Sequence, residues 1–168
     1  MNKPKVAIVL GSDSDYPVVE GMLRLLDDFS VEYEITVTSA HRSPARTERY
    51  AAALEGRGIQ VVVAAAGMAA HLAGVIAART ILPVIGIPID APPLGGIDAL
   101  LSTSMMPAGV PVATMGIGRA GADNAAVLAA EILARSDPGL AERLHGYKKR
   151  LAEGVVRKDR NLEKQRNA

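Results

Sequence analysis

The chain has 168 residues, 49% hydrophobic and 22% charged, which is ordinary for a globular protein and excludes wholesale disorder. It has no cysteine, so disulfide scaffolds, thiolate catalysis and cysteine-ligated metal centres are excluded, and three histidines are too few for a histidine-rich metal cage. The net charge of +1 conceals ten Lys and Arg against fourteen Asp and Glu in residues 1–140, and nine against four in residues 141–168.

Lys5–Leu10 (KVAIVL) reads as a first strand, and its apolar run is too short for a signal peptide. The turn Gly11–Asp15 then leads into a helix predicted over Tyr16–Asp28. A second strand, Glu34–Thr38, precedes a helix over Pro44–Arg57, where Pro44 suits a first helical turn. The stretch Val61–Ala78 has the length of a membrane span, but its Ala and Gly content and central His71 would drive insertion poorly. It reads instead as a buried strand (Gln60–Ala65), a turn, and a helix over Ala69–Thr80. A fourth strand, Pro83–Ile89, and a helix, Gly96–Met105, follow; then a fifth strand, Pro111–Gly116, and a helix, Ala122–Arg135. A last helix of about Pro138–Lys158 carries Leu140, Leu144, Tyr147, Leu151 and Val155 at spacings of three and four, one apolar stripe for its own domain or a neighbouring subunit. The charged end, 159–168, is expected to fray. With four Tyr, one Phe and no Trp to stack on bases, the basic end reads as a surface helix rather than a nucleic-acid site.

Five strand–helix units with strands apolar on both faces predict a single α/β domain over 1–168. Its core, about 5–135, is expected to be a flavodoxin-like or Rossmann-like three-layer sandwich around a parallel sheet, with an added C-terminal helix. Ligands of such sheets bind beyond the carboxyl ends of the strands, which directs attention to the segments that follow them. Gly11-Ser12-Asp13-Ser14-Asp15 combines hydroxyls, carboxylates and a helix start: either an anion-binding turn or a plain N-cap. His41-Arg42 pairs a proton-transfer group with a cation that can clamp phosphate. His71 stands in an Ala/Gly setting near a helix start, and His145 lies away from the strand ends. Gly116-Ile117-Gly118-Arg119-Ala120-Gly121 matches GxGxxG but lacks the strand and acidic residue that a dinucleotide site requires, and reads as close helix–strand packing or a small pocket lining.

Taken together, Gly11–Asp15, Ser39-Ala40-His41-Arg42-Ser43-Pro44, Ala69-Ala70-His71-Leu72, Met106–Thr114 and Gly121–Ala126 resemble the 5-(carboxyamino)imidazole ribonucleotide mutase family of purine biosynthesis over residues 5–135. The resemblance implies movement of a carboxylate from the exocyclic nitrogen to ring carbon C4, with no metal or organic cofactor. It implies a cytoplasmic homo-octamer with sites at subunit contacts, and functional coupling to an ATP-dependent carboxyaminoimidazole ribonucleotide synthase. His41 matches the proton-transfer residue. Arg42 and the Ser12–Ser14 turn match phosphate contacts, and Asp15 a ribose contact. Ser39 and Ala40 flank His41 in the substrate site, while Gly67, His71 and Leu72 belong to a loop around the base and carboxylate. The chain departs from the family's pattern at Ala73, where a proline often follows His-Leu, at Met105, where a glutamine often precedes Met-Pro, and at Asp90-Ala91-Pro92-Pro93. The alternatives are direct carboxylation of aminoimidazole ribonucleotide by CO2 and a non-catalytic nucleotide-binding domain. A receiver-like version of the latter would want an aspartate where Ala65-Ala66-Gly67 stands.

Overall fold

A computed structural model describes residues 3–166. Five parallel strands, β1 (Val6–Leu10), β2 (Tyr33–Val37), β3 (Val61–Gly67), β4 (Val84–Ile89) and β5 (Ala113–Thr114), form one sheet in the order 2-1-3-4-5. The helices are α1 (Tyr16–Asp28), α2 (Pro44–Ala52), α3 (Leu72–Ala77), α4 (Ile97–Ser104), α5 (Arg119–Leu133) and α6 (Pro138–Arg166). The expected α/β layering is therefore present, and its strand order is the flavodoxin-like one.

Side-chain alternation along each strand divides the core between the two faces of the sheet. Val6, Ile8 and Leu10 of β1, with Val61, Val63 and Ala65 of β3, meet Val19, Met22 and Leu26 of α1 and Ala122, Ala125 and Ala129 of α5. Ala7, Val9, Val62 and Ala64 point the other way, against Ala51 of α2 and Leu72, Ala73 and Ile76 of α3. A strand buried on both faces has no polar position to alternate, which is why β1 reads as a continuous apolar run. The register Val6↔Tyr33 and Val6↔Val61 aligns the carboxyl ends of β1, β2 and β3 on one edge of the sheet.

Several boundaries differ from the sequence-based expectation, each for a local reason. α2 stops at Ala52, and a separate 3₁₀ turn, Glu55–Arg57, closes on Gly58, whose φ of +87° suits glycine. α3 begins at Leu72 instead of Ala69, because the His71 N–H bonds Ala69 O at 2.9 Å in a tight turn that is not helical. β5 keeps two residues of the expected six, since Pro111 has no N–H for the ladder and Gly109, at φ +95°, turns the chain before it. α5 starts three residues before Ala122. α6 runs to Arg166, past the expected end at Lys158, so the stretch 159–166 is helical; residues 167–168 lie outside the described residues.

The GxGxxG segment is a packing device. A Cβ on Gly121 would lie 1.7 Å from Gly116 O, so α5 can start against the end of β5 only if residue 121 has no side chain. Gly118 N–H reaches Pro88 O at 2.9 Å and ties the same turn to β4.

Candidate active site

The sheet order places β1 between β2 and β3, so the connections leaving β1 and β3 run in opposite directions and part above the sheet. The opening is a cleft of about 740 Å³. Its wall includes Ser12, Ser14 and Asp15 after β1, Ser39, Ala40, His41 and Arg42 after β2, and Gly67, His71 and Leu72 after β3. Every candidate residue singled out in the sequence thus borders one space. His145 lies on α6, away from it. Asp90, Ala91 and Pro92 also line the cleft and were not assigned; their signal was their place directly after β4.

The first wall is a capped 3₁₀ turn, Asp13–Asp15. Ser12 is extended, its Oγ accepts the Ser14 N–H at 3.3 Å, and Asp15 Oδ2 accepts the Ser12 N–H at 3.0 Å, a reciprocal capping box. Ser14 Oγ donates to Ser12 Oγ at 2.8 Å, which leaves two exposed hydroxyls side by side at the rim. Asp15 is buried, and burial raises its carboxyl above the usual aspartate range, with the Ser12 N–H opposing that rise. The sequence-level alternative of a plain cap is therefore half the answer: the cap exists, and it also borders the cleft.

The second wall is the loop 39–43. Arg42 N–H donates to Ser39 Oγ at 3.1 Å, and an Arg42 guanidinium nitrogen reaches Gly11 O at 3.4 Å, which stretches the cation across to the β1 turn. His41 extends toward the third wall, where its Nε2 lies 2.9 Å from His71 Nδ1. The rings meet edge to face, with centroids 5.0 Å apart and planes at 85°. In such a bond one nitrogen must carry the hydrogen and the other must be bare, so the two imidazoles hold at most three protons on four nitrogens. Met68, at φ +56°, turns the chain between Gly67 and His71 in a conformation that costs a non-glycine residue roughly 1 kcal/mol or more.

These pieces provide a cation and paired hydroxyls for an anionic group, a buried carboxylate that can accept from hydroxyls, and an imidazole pair for proton transfer. Among the described residues, no cluster of three His, Asp or Glu side chains is placed to hold a metal ion, and no helix is long and apolar enough to cross a membrane. A second hollow, about 570 Å³, lies at the amino ends of the strands, where Lys3, Lys5 and Arg143 are mixed with Glu32 and Asp137; it contains none of the candidate residues.

A protein-family model described as AIR carboxylase matches residues 5–154. The chain is 54% identical over 145 residues to an N5-carboxyaminoimidazole ribonucleotide mutase of Pyrococcus abyssi, covering 86% of this chain and 82% of that protein. It is 44% identical over 155 residues to the N5-carboxyaminoimidazole ribonucleotide mutase of Escherichia coli K12, covering 92% of each. Among solved structures, a crystal structure of Treponema denticola PurE superposes with a TM-score of 0.84 at 27% identity, covering 95% of this chain and 98% of that one.

Proposed function

The chain belongs to the AIR carboxylase family, and we infer from that membership that it is an N5-carboxyaminoimidazole ribonucleotide mutase, an isomerase of purine biosynthesis. The observation that carries the mechanism is the His41–His71 hydrogen bond in a cleft that Arg42, Ser12 and Ser14 also line. Substrate and product are isomers, so the enzyme needs neither a net proton nor an added carboxyl group. His41 gives a proton to the carbamate nitrogen, the N–C bond breaks, and aminoimidazole ribonucleotide and CO2 remain in the cleft. Ring carbon C4 then attacks the CO2 carbon, and the now neutral His41 takes the C4 proton as aromaticity returns. One imidazole starts and ends protonated, serving as general acid in the first step and as general base in the second.

His71 accepts or donates at His41 until substrate enters, and afterwards faces the base and carboxylate together with Gly67 and Leu72. Arg42, Ser12 and Ser14 bind the phosphate, Asp15 a ribose hydroxyl, and Ser39 and Ala40 border the imidazole. The small side chains at Ala66, Gly67 and Ala69, which line the cleft, keep CO2 beside C4, where recapture is intramolecular and need not await a second encounter. We also propose that 1–168 is a single domain, that it works in the cytoplasm as a homo-octamer, and that an ATP-dependent synthase supplies its substrate. The exposed apolar side chains Ile35, Val37, Leu94, Ile97 and Leu101 support assembly.

The deciding experiment follows C4-carboxylated product from freshly made N5-carboxyaminoimidazole ribonucleotide without ATP, beside a reaction supplied with aminoimidazole ribonucleotide and CO2. Rapid conversion of the first compound is the expected result. Conversion only from free CO2 would make the protein a carboxylase. His41→Asn is expected to bind ribonucleotide and lose turnover by at least a hundredfold, consistent with the typical worth of a general acid–base group, roughly 10²–10⁴.

A further inference from the structure

Asp15, Thr38, Thr47 and Thr103 are the buried polar side chains of the described residues. Asp15 belongs to the cleft, and Thr103 Oγ1 donates back to Ala99 O of its own helix at 2.7 Å. Thr38 and Thr47 differ, because they meet each other: the two Oγ1 atoms are 2.9 Å apart, joining the residue after β2 to the second turn of α2. A buried hydroxyl gains nothing from water and must be compensated by a partner, whereas a valine would fill the same volume with no polar group to satisfy.

What the hydroxyls reach explains their presence. Thr47 Oγ1 donates to Ser43 O at 3.3 Å, and Thr38 Oγ1 lies 3.4 Å from Ser43 Oγ. Ser43 Oγ in turn accepts the Ser39 N–H at 3.1 Å and donates to Ser39 O at 3.1 Å, while Ser43 N–H bonds Ser39 O at 2.9 Å. Residues 39 and 43 are thereby pinned together on a buried base, and Ala40, His41 and Arg42 are held between them, lining the cleft beside Ser39.

We propose that Thr47, acting through Thr38 and Ser43, is a positioning residue that fixes the loop carrying His41 and Arg42 in its reactive geometry. The inference rests on the reading of His41 as the proton-transfer group. It adds that the accuracy of that group is set on α2, four residues past the far end of the loop and out of contact with substrate. Proton transfer requires His41 to stay within hydrogen-bond reach of two different substrate atoms in turn, and a misplacement of about 1 Å can cost on the order of a hundredfold in rate. An open ring of hydroxyls would allow such a displacement without unfolding the protein.

The test compares Thr47→Val, Thr47→Ser and Thr38→Val in the mutase assay and in thermal melts, with His41→Asn alongside. Valine preserves packing and removes the hydroxyl; serine keeps the hydroxyl and removes a methyl group. The expected result is a fall of about tenfold or more in kcat/KM for both valine variants, with recovery of most of the activity in Thr47→Ser despite its lower melting temperature. A role in packing alone predicts the reverse order, valine active and serine impaired, and that outcome would overturn the proposal. Full activity of Thr38→Val would also overturn it, and this reading remains decisive should Thr47→Val fail to fold. If His41→Asn itself turned over normally, the fault would lie with the role of His41 and not with the hydroxyl base.

Discussion

Burial keeps the Asp15 carboxyl above its usual range because only 8% of the residue meets water, and the Ser12 N–H offsets part of that effect. The folded protein therefore holds a proton at Asp15 more readily than the unfolded chain. Its ionisation costs stability as pH rises from the ordinary value of 3.8 through the raised one, and the whole cost is present at neutral pH. Asp15→Asn retains an oxygen to accept the Ser12 N–H and has no charge to desolvate. It should melt a few degrees above the wild type at pH 7, and the difference should vanish near pH 3, where the wild-type carboxyl is protonated too. The same variant should raise KM for the ribonucleotide, which would show a residue retained for binding at some expense to the fold. Thermal melts across this pH range, set beside steady-state kinetics, check both halves. The candidate residues themselves were legible because strand ends are recognisable in sequence, and each candidate sits at one. Thr47 was not legible, because its partners are Thr38 and Ser43, and no helical pattern distinguishes a threonine that bonds across to a strand end from one that fills space.

At the scale of elements, helix α1 begins and ends as its sequence predicts, since an N-terminal turn rich in Ser and Asp and a proline in the first turn are local signals. The failures fall where tertiary contact overrides local preference. The apolar run through Ala69 and Ala70 suits a helix, yet that segment forms a wall of the cleft, so α3 starts only after it. The β5–α5 turn offers a direct check on the packing role of its glycines. Gly121→Ala would force Gly116 O aside by more than an ångström, and overpacking of this kind costs about 1–3 kcal/mol. Urea unfolding should record a loss of that size with an unchanged slope, and neither the wild-type chain nor the variant should bind a nicotinamide cofactor. Further out, Glu34 of β2 joins α2 and the following turn: it accepts from Tyr50 Oη at 2.5 Å and pairs with Arg57 at 2.8 Å. Burial, with the Glu34 carboxylate beside it, pushes the Tyr50 hydroxyl well above its ordinary range, so this link persists through alkaline conditions that ionise exposed tyrosines.

For the whole molecule, the long last helix is the part least accounted for by one subunit. Its first turns are anchored: Leu140 and Leu144 enter the core, Arg143 Nε donates to Phe29 O at 2.7 Å, and Tyr147 meets Phe29 edge to face at 5.3 Å. Beyond Lys148, which pairs with Glu131 at 2.7 Å, Leu151, Val155, Val156 and Leu162 are all at least half exposed. A helical segment without a packed face is marginal in water, and the excess of basic residues in 141–168 is opposite in sign to the excess of acidic ones in 1–140. That complementarity accords with the proposed assembly. A chain ending at Arg150 should scatter light as a particle of fewer subunits than the full chain forms, and an unchanged subunit number would separate the helix from assembly. The sequence stripe at Leu140, Leu144 and Tyr147 foretold the anchored half. Where the helix ends could not be read from it, because a charged, evenly solvated segment carries no periodic apolar signal.

The capping box at Ser12–Asp15 has a consequence for how a nucleotide can lie in the cleft. One Asp15 oxygen already accepts the Ser12 N–H, and the carboxylate keeps further acceptor positions but has nothing to donate while ionised. It welcomes a hydroxyl and repels a phosphate. Arg42, which spans the gap to Gly11, does the opposite. In the proposed mode of binding the two side chains would act as a compass: a ribonucleotide entering backwards would set its phosphate against a buried anion, and the forward orientation would bring the imidazole ring round to His41.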